Sequence, residues 1–203
     1  KFMKICQDNK AQYVVMEVSS HALDLYRVNC IDFNIAVFTN LTQDHLDYHN
    51  NMEKYQASKL KLFNMITLEN KNFVVVNADD NYSGDFIQAA KAKVYTYGLS
   101  NNSDIKATNV KIDLKGSQFT LSFKGSTTNI KVKLIGMFSI YNVLAAIAVS
   151  LGEGISLEII KTALEKVNGV PGRFEQVDEG QDFTVVVDYA HTPDGLENIL
   201  KTG

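Results

Sequence analysis

The sequence predicts an α/β protein: a mostly parallel sheet flanked by helices, a small antiparallel β subdomain attached to it, and then the opening strand and helix of a second α/β domain. Three observations predict this. Short β-branched and aromatic runs at 13–18, 31–38, 73–76 and 94–97 alternate with stretches of helical spacing, as strands joined by helical crossovers do. Residues 107–134 alternate instead, with Phe119, Leu121 and Phe123 set against Gln118, Thr120 and Ser122, the pattern of a sheet with one wet face. After the hinge-like run Val170-Pro171-Gly172-Arg173, a fresh apolar strand begins at 183–187.

The elements follow in order. The chain opens in helical style, Lys1-Phe2-Met3-Lys4-Ile5, without an initiator Met or a capping residue, and stops at Lys201-Thr202-Gly203 just after a short amphipathic run. Both ends read as cuts through a longer protein. Residues 13–18 read as a buried strand, and 22–26 as a short helical turn. Residues 31–38 carry the next strand. Met52, Tyr55, Leu62 and Met65 have helical spacing, with Asn50 or Asn51 as N-cap. Residues 73–76 form another buried strand ending in Asn77-Ala78-Asp79-Asp80. A helix over 83–92 and a strand over 94–97, closed by Gly98, complete the alternation. Strands 13–18, 35–38 and 73–76 are all expected to be parallel. Within 107–134, Lys115-Gly116 and Lys124-Gly125 mark hairpin turns. Residues 138–151 read as a helix apolar on all sides and therefore buried. Ser156 caps a second helix that Asn168-Gly169 ends. A domain boundary falls near Gly172, and residues 194–200 begin a further helix.

Composition bounds the function. Of 203 residues, 45% are hydrophobic and 21% charged, so a packed core is expected and disorder is not. Twenty basic against 23 acidic residues give a net charge of −3, which makes no case for a nucleic-acid backbone. No apolar run approaches the roughly 18–20 residues that span a bilayer, and there is no secretory h-region. Cys6 and Cys30 match no zinc or redox spacing and read as two reduced, buried, cytosolic thiols. No G-x-x-x-x-G-K-[ST] phosphate loop is present.

The chemistry-bearing residues gather where strands end, the place where open α/β sheets bind ligands. Glu17 lies inside an apolar strand pattern, and a buried glutamate wants a partner. Either a metal or an ordinary hydrogen-bonded strand end satisfies it. His45 follows Asp44 just beyond the strand at 35–38, so Glu17 and His45 can converge on one sheet edge. A carboxylate with one imidazole suits Mg²⁺ or Mn²⁺ better than a closed zinc site. Lys59 falls four residues after Tyr55, on the apolar face of its helix. It is either a snorkelling lysine or a partly buried amine of lowered pKa, able to act as a nucleophile or to take up CO₂ as a carbamate. Asn77, Asp79 and Asp80 cap a helix or meet a polar ligand, and Asp188 and His191 repeat the strand-end logic.

These residues also carry a resemblance. Met16-Glu17-Val18-Ser19-Ser20-His21-Ala22-Leu23 and Thr39-Asn40-Leu41-Thr42-Gln43-Asp44-His45-Leu46-Asp47-Tyr48-His49 resemble two blocks of the Mur ligases, more narrowly of the UDP-N-acetylmuramoyl-tripeptide synthetase branch. Tyr55-x-x-x-Lys59, Asn77-Ala78-Asp79-Asp80, Gly172-Arg173-Phe174-Glu175 and Asp188-Tyr189-Ala190-His191-Thr192-Pro193 follow in family order. Six ordered blocks cover essentially the whole chain. Folylpolyglutamate synthases share the architecture but not the first and last of them.

The resemblance implies a central ATP-binding domain over 1–172 and the start of a C-terminal domain over 173–203. It implies an ATP-dependent amide-bond ligase of the cytoplasm. That enzyme adds the third amino acid to UDP-N-acetylmuramoyl-L-alanyl-D-glutamate in peptidoglycan synthesis through an acyl phosphate. Mg²⁺ would be held by Glu17, His45 and carbamylated Lys59, which are also the catalytic set. Ser19 and Arg27 would contact the UDP-MurNAc-dipeptide, and Asn142, Arg173, Asp188 and His191 the nucleotide. Relatives carry a UDP-binding domain and a phosphate loop upstream of the first block, neither of which is in this chain, so the 203-residue piece is expected to be inactive alone. They usually have Gly at the position of Asn50 and Asn at that of Ser139. Rival readings are another Mur-type or cyanophycin-synthetase-like ligase, or a non-catalytic binding protein of the same fold. The intact Glu17, His45 and Lys59 speak against the last. Whether diaminopimelate or lysine is added, and the oligomeric state, are left open by these residues.

Overall fold

The computed structural model describes residues 2–100 and 103–202. One six-stranded sheet dominates, in the order β1 (Ile35–Phe38), β2 (Phe73–Asn77), β3 (Lys93–Gly98), β4 (Ile105–Asp113), β5 (Gly116–Phe123), β6 (Ser126–Val132). The first four strands are parallel and the last three antiparallel. The alternating stretch therefore continues the parallel sheet. Its junction is short: only Tyr97 and Gly98 pair with Ile105 and Lys106.

Period-2 alternation explains why β2 is buried on both faces. Phe73 and Val75 join a cluster with Tyr97, Ile105, Ile140, Leu144 and Ile147. Val74 and Val76 join Ala36, Phe38, Phe63 and Phe86 on the other face. Helix α6 (Met137–Gly152) contributes to the first cluster, and α4 (Met52–Met65) and α5 (Ser83–Ala89) to the second. Helix α6 is not buried all round. Ile140, Val143, Leu144, Ile147 and Ala148 form one inward stripe, while Met137 and Asn142 stay exposed. The hairpin at Lys124-Gly125 follows its sequence signal: both residues have positive φ (48° and 79°), the conformation a two-residue type I′ loop requires.

Several expectations are corrected. Residues 13–18 form no strand, so only β1 and β2 of the three expected parallel strands exist among the described residues. A strand needs a laddered neighbour for its N–H and C=O groups. Instead a cleft of about 740 Å³ is lined by Tyr13, Val14 and Met16 together with Phe33, Asn34 and Ile35 of the β1 side. Val15 is 98% exposed. Strand β1 is shorter than 31–38, and its Val37 is also exposed. Ser156 sits at the N-cap of α7 (Leu157–Glu165) without a side-chain capping bond. Cys30 is exposed and Cys6 half-buried. Cys30 lies in the turns after α2 (Ser20–Asp24), and Cys6 in α1 (Phe2–Asp8), a helix that buries no residue.

Beyond residue 172, β7 (Glu175–Val177) and β8 (Val185–Val187) form a separate two-stranded antiparallel sheet, followed by α8 (Pro193–Thr202). Strand β7 has no counterpart in the sequence expectation. Its three exposed residues, Glu175, Gln176 and Val177, lack the apolar run that marks a buried strand. Among the described residues no helix is long and apolar enough to cross a membrane.

Candidate active site

The site forms where β1 and β2 end side by side. Asn77 Nδ2 donates to Thr39 O at 2.7 Å, and Asp80 Oδ2 accepts from Leu41 N at 3.0 Å. These bonds tie the segment leaving β1 to the end of β2. Asp44 Oδ1 then accepts from His45 N at 2.7 Å. His45 takes the left-handed region, φ 54°, an uncommon conformation outside glycine that favours short polar side chains and recurs at functional sites. It starts α3 (Leu46–His49). The His45 imidazole lies 3.4 Å from Asp44 Oδ2 and meets the Tyr55 ring edge-on at 6.0 Å.

Helix α4 brings Lys59 to the same place. Asn51 caps it by accepting from Lys54 N, as the sequence predicts. Lys59 Nζ sits 5.1 Å from the centre of the Tyr55 ring, one turn earlier. Burial lowers the Lys59 pKa, against the raising effect of Asp44, Glu17 and Asp80. Burial pushes the Tyr55 hydroxyl up to about 12, helped by the Asp44 charge, so it stays protonated. Three carboxylates thus act on one poorly solvated amine, and an imidazole stands on the same aromatic wall.

Glu17 reaches this group differently from the expectation. It is exposed, on irregular backbone, so no burial demands a partner for it. Its charge nevertheless acts on Lys59. Ser19 is the N-cap of α2, and its Oγ accepts from Ala22 N at 3.2 Å. Arg27 is exposed in the turn after α2, with its amide donating to Ala22 O.

The four residues expected around the nucleotide fall into two groups. Asn142 is exposed on α6, beside Tyr141, whose hydroxyl donates to Asp79 Oδ2 at 3.0 Å. Ser139 is buried and donates to Ile135 O at 2.8 Å. Arg173, Asp188 and His191 gather around β7 and β8. Asp188 accepts from Phe174 N and Ala190 N, Arg173 lies 5.2 Å from the centre of the Tyr189 ring, and His191 meets that ring at 4.9 Å. The 740 Å³ cleft is not the site, since none of Glu17, His45 or Lys59 lines it.

The sequence places His49 with Asp44, His45 and Asp47 in the crowded stretch after β1, but not the polar layer that it forms with His21 and Ser20 beneath these residues. His21 packs on His45, Tyr48 and His49 at 4.8, 4.2 and 5.5 Å. His49 is buried beside Ser20. The one available signal was that three of the chain's four histidines, His21, His45 and His49, fall within the two blocks that precede α4.

The donors suit a hard cation. Carboxylate oxygens are Mg²⁺-like ligands, and Mg²⁺ keeps several waters and needs few protein donors. No three His, Cys, Asp or Glu side chains among the described residues close on one point.

A parallel sheet whose candidate chemistry sits at adjoining strand ends is an α/β domain of the ligand-binding kind. The chain belongs to the Mur ligase family, whose middle domain matches residues 1–150. It is 58% identical over 201 residues to the UDP-N-acetylmuramoyl-L-alanyl-D-glutamate–2,6-diaminopimelate ligase of Syntrophomonas wolfei, covering 99% of this chain and 41% of the relative. A solved structure of a ligase of that name superposes with TM-score 0.76 at 34% identity, over 92% of this chain and 38% of the other. MurF of Acinetobacter baumannii shares the fold at TM-score 0.77 and 21% identity, over 84% of this chain and 37% of that one. The chain thus spans about two fifths of the length of the curated relatives it matches.

Proposed function

We propose that the protein containing this chain is an ATP-dependent ligase. It joins diaminopimelate, as the third residue, to UDP-N-acetylmuramoyl-L-alanyl-D-glutamate in the cytoplasm. The observation that carries the reading is the Lys59 amine, half-buried under the fields of Asp44, Glu17 and Asp80 with His45 on the same wall. The names of the relatives supply the substrates.

The reaction needs two anions brought together. A carboxylate oxygen of the dipeptide attacks the γ-phosphorus, ADP leaves with its electron pair, and an acyl phosphate forms. The incoming amine attacks the acyl carbon, phosphate departs, and the amine loses a proton. Mg²⁺, when bound, would supply the charge that screens their repulsion. In this chain Glu17, His45 and Lys59 would hold it. The lowered pKa of Lys59 raises its free-amine fraction, the form that adds CO₂ and loses a proton to become a carbamate, turning a cation into an oxygen ligand. Ser19 and Arg27 are assigned to the dipeptide substrate. Asn142, Arg173, Asp188 and His191 are assigned to the nucleotide. We place the boundary between the central and C-terminal domains near Gly172, ahead of the separate sheet.

The test is ligation by the full-length protein with Mg-ATP, the UDP-MurNAc-dipeptide and either diaminopimelate or lysine, read as ADP release and product mass. Diaminopimelate is expected to be joined and lysine refused. Lys59→Ala should abolish ligation, and added acetate or formate should restore part of it by replacing the carbamate. A fully active Lys59→Ala enzyme would remove the carbamate role, and no product from the wild type would remove the ligase reading.

A further inference from the structure

Beneath the candidate site lies a buried polar trio that the reaction does not use. Ser20, His49 and Ser58 are 1%, 4% and 2% exposed. His49 Nε2 and Ser20 Oγ are 2.9 Å apart, and Ser58 Oγ donates to Ser20 O at 2.7 Å. The His49 ring stacks on Tyr55 with ring centres 5.3 Å apart. The three residues come from three elements: Ser20 from α2, His49 from α3 and Ser58 from α4.

Their neighbours in the chain are the functional candidates. Ser20 follows Ser19, Ser58 precedes Lys59, and His49 stands one turn after His45, with its amide donating to His45 O at 3.0 Å. Apolar residues would fill the same space without the cost of burying polar groups. What a satisfied polar network adds is direction: its bonds form in only one relative placement of the elements.

We propose that His49 is a positioning residue: its bond to Ser20 ties α3 to α2, the Ser58 bond to Ser20 O ties α4 to α2, and together they hold the three helices in the one arrangement that aligns Ser19, His45 and Lys59. This rests on the ligase reading. A misplacement of about 1 Å can cost roughly a hundredfold in rate, so small slack in the trio reaches the chemistry.

The experiment compares two variants of the full-length protein. His49→Phe keeps a ring against Tyr55 and deletes the bond to Ser20. His49→Gln carries an amide nitrogen near the place of Nε2 and keeps a bond. His49→Phe is expected to lower kcat roughly tenfold or more and to raise the KM for the UDP-MurNAc-dipeptide, which Ser19 is assigned to contact, with the KM for ATP nearly unchanged. His49→Gln should recover most of the loss at a similar melting temperature. If His49→Phe does not fold, Ser58→Ala, which removes one hydroxyl, carries the same expectation for kcat. Wild-type kcat in the bond-deleting variant, or no recovery by His49→Gln, would overturn the proposal. Hydrogen exchange at the amides of Ala22, Leu23 and Leu25 separates it from the ligase reading. Faster exchange in His49→Phe and wild-type exchange in His49→Gln support the trio even if the wild type ligates nothing. Unchanged exchange in His49→Phe sinks it.

Discussion

Asn50 ends α3 with φ 67° and its amide on Leu46 O. Positive φ costs a β-carbon-bearing residue about 1–2 kcal/mol, with Asn among the better tolerated, so the Gly that the family resemblance implies here would meet the same backbone demand. Asn50→Gly should therefore be neutral or stabilising by up to about 1 kcal/mol, and Asn50→Val should destabilise by more than that. Denaturant midpoints at constant slope measure both. A position that looked like a departure from the family pattern is thus a second residue type meeting the same backbone demand. Lys59 teaches the reverse lesson. Its spacing from Tyr55 placed it on the inner face of α4, but spacing could not separate a snorkelling cation from a desolvated amine. Its burial decides that, lowering the pKa against the raising effect of the surrounding carboxylates.

At the scale of elements, Asp79 joins three of them. Its carboxylate accepts from Leu99 N and Ser100 N after β3 and from Tyr141 on α6, while it stands at the end of β2. Burial pushes its pKa up, and the hydrogen bonds outweigh that and hold it below the usual carboxylate range. A carboxyl depressed in the fold adds stability that is complete above about pH 4 and is lost as pH falls through the lower folded value. Asp79→Asn should therefore be less stable than the wild type at neutral pH, with the gap closing in acid. Stability curves taken from pH 7 down to pH 3 check it, and a pH-independent gap would refute it. Gly98 tests the same joint. A β-carbon there would lie 2.6 Å from Asp79 Oδ2, so Gly98→Ala should displace the carboxylate from its donors and cost roughly 1–3 kcal/mol.

For the whole molecule, the two cores on either side of β2 set the stability ranking. Val74, Val75 and Val76 are fully buried, as are Ile140, Leu144 and Ile147 on α6. Residues 9–15 and the strands β7 and β8 are mostly exposed. Hydrogen exchange should be slowest in β2 and α6 and fast in both exposed regions. Slow exchange at 13–15 would mean that this run pairs as a strand after all. Ile147→Ala should cost about 2–5 kcal/mol, since it opens a cavity in the larger core.

The apolar runs by themselves determined β2 and β3, helical spacing determined α4, and period-2 alternation determined β4, β5 and β6, where each pattern matches what the element buries. The ordered blocks determined which residues deserved attention. Local pattern could not decide the fate of 13–18, because an apolar run becomes a strand only when a neighbour satisfies its backbone, and here a cleft lies alongside it. Nor could it reveal that β4 to β6 extend the parallel sheet, which depends on two residue pairs at Tyr97 and Gly98. The gathering of Glu17, Asp44, His45, Lys59 and Asp80, and the Ser20–His49–Ser58 trio beneath them, needed the tertiary structure. Desolvation and hydrogen-bond direction arise between elements distant in the chain, and no sequence period encodes them.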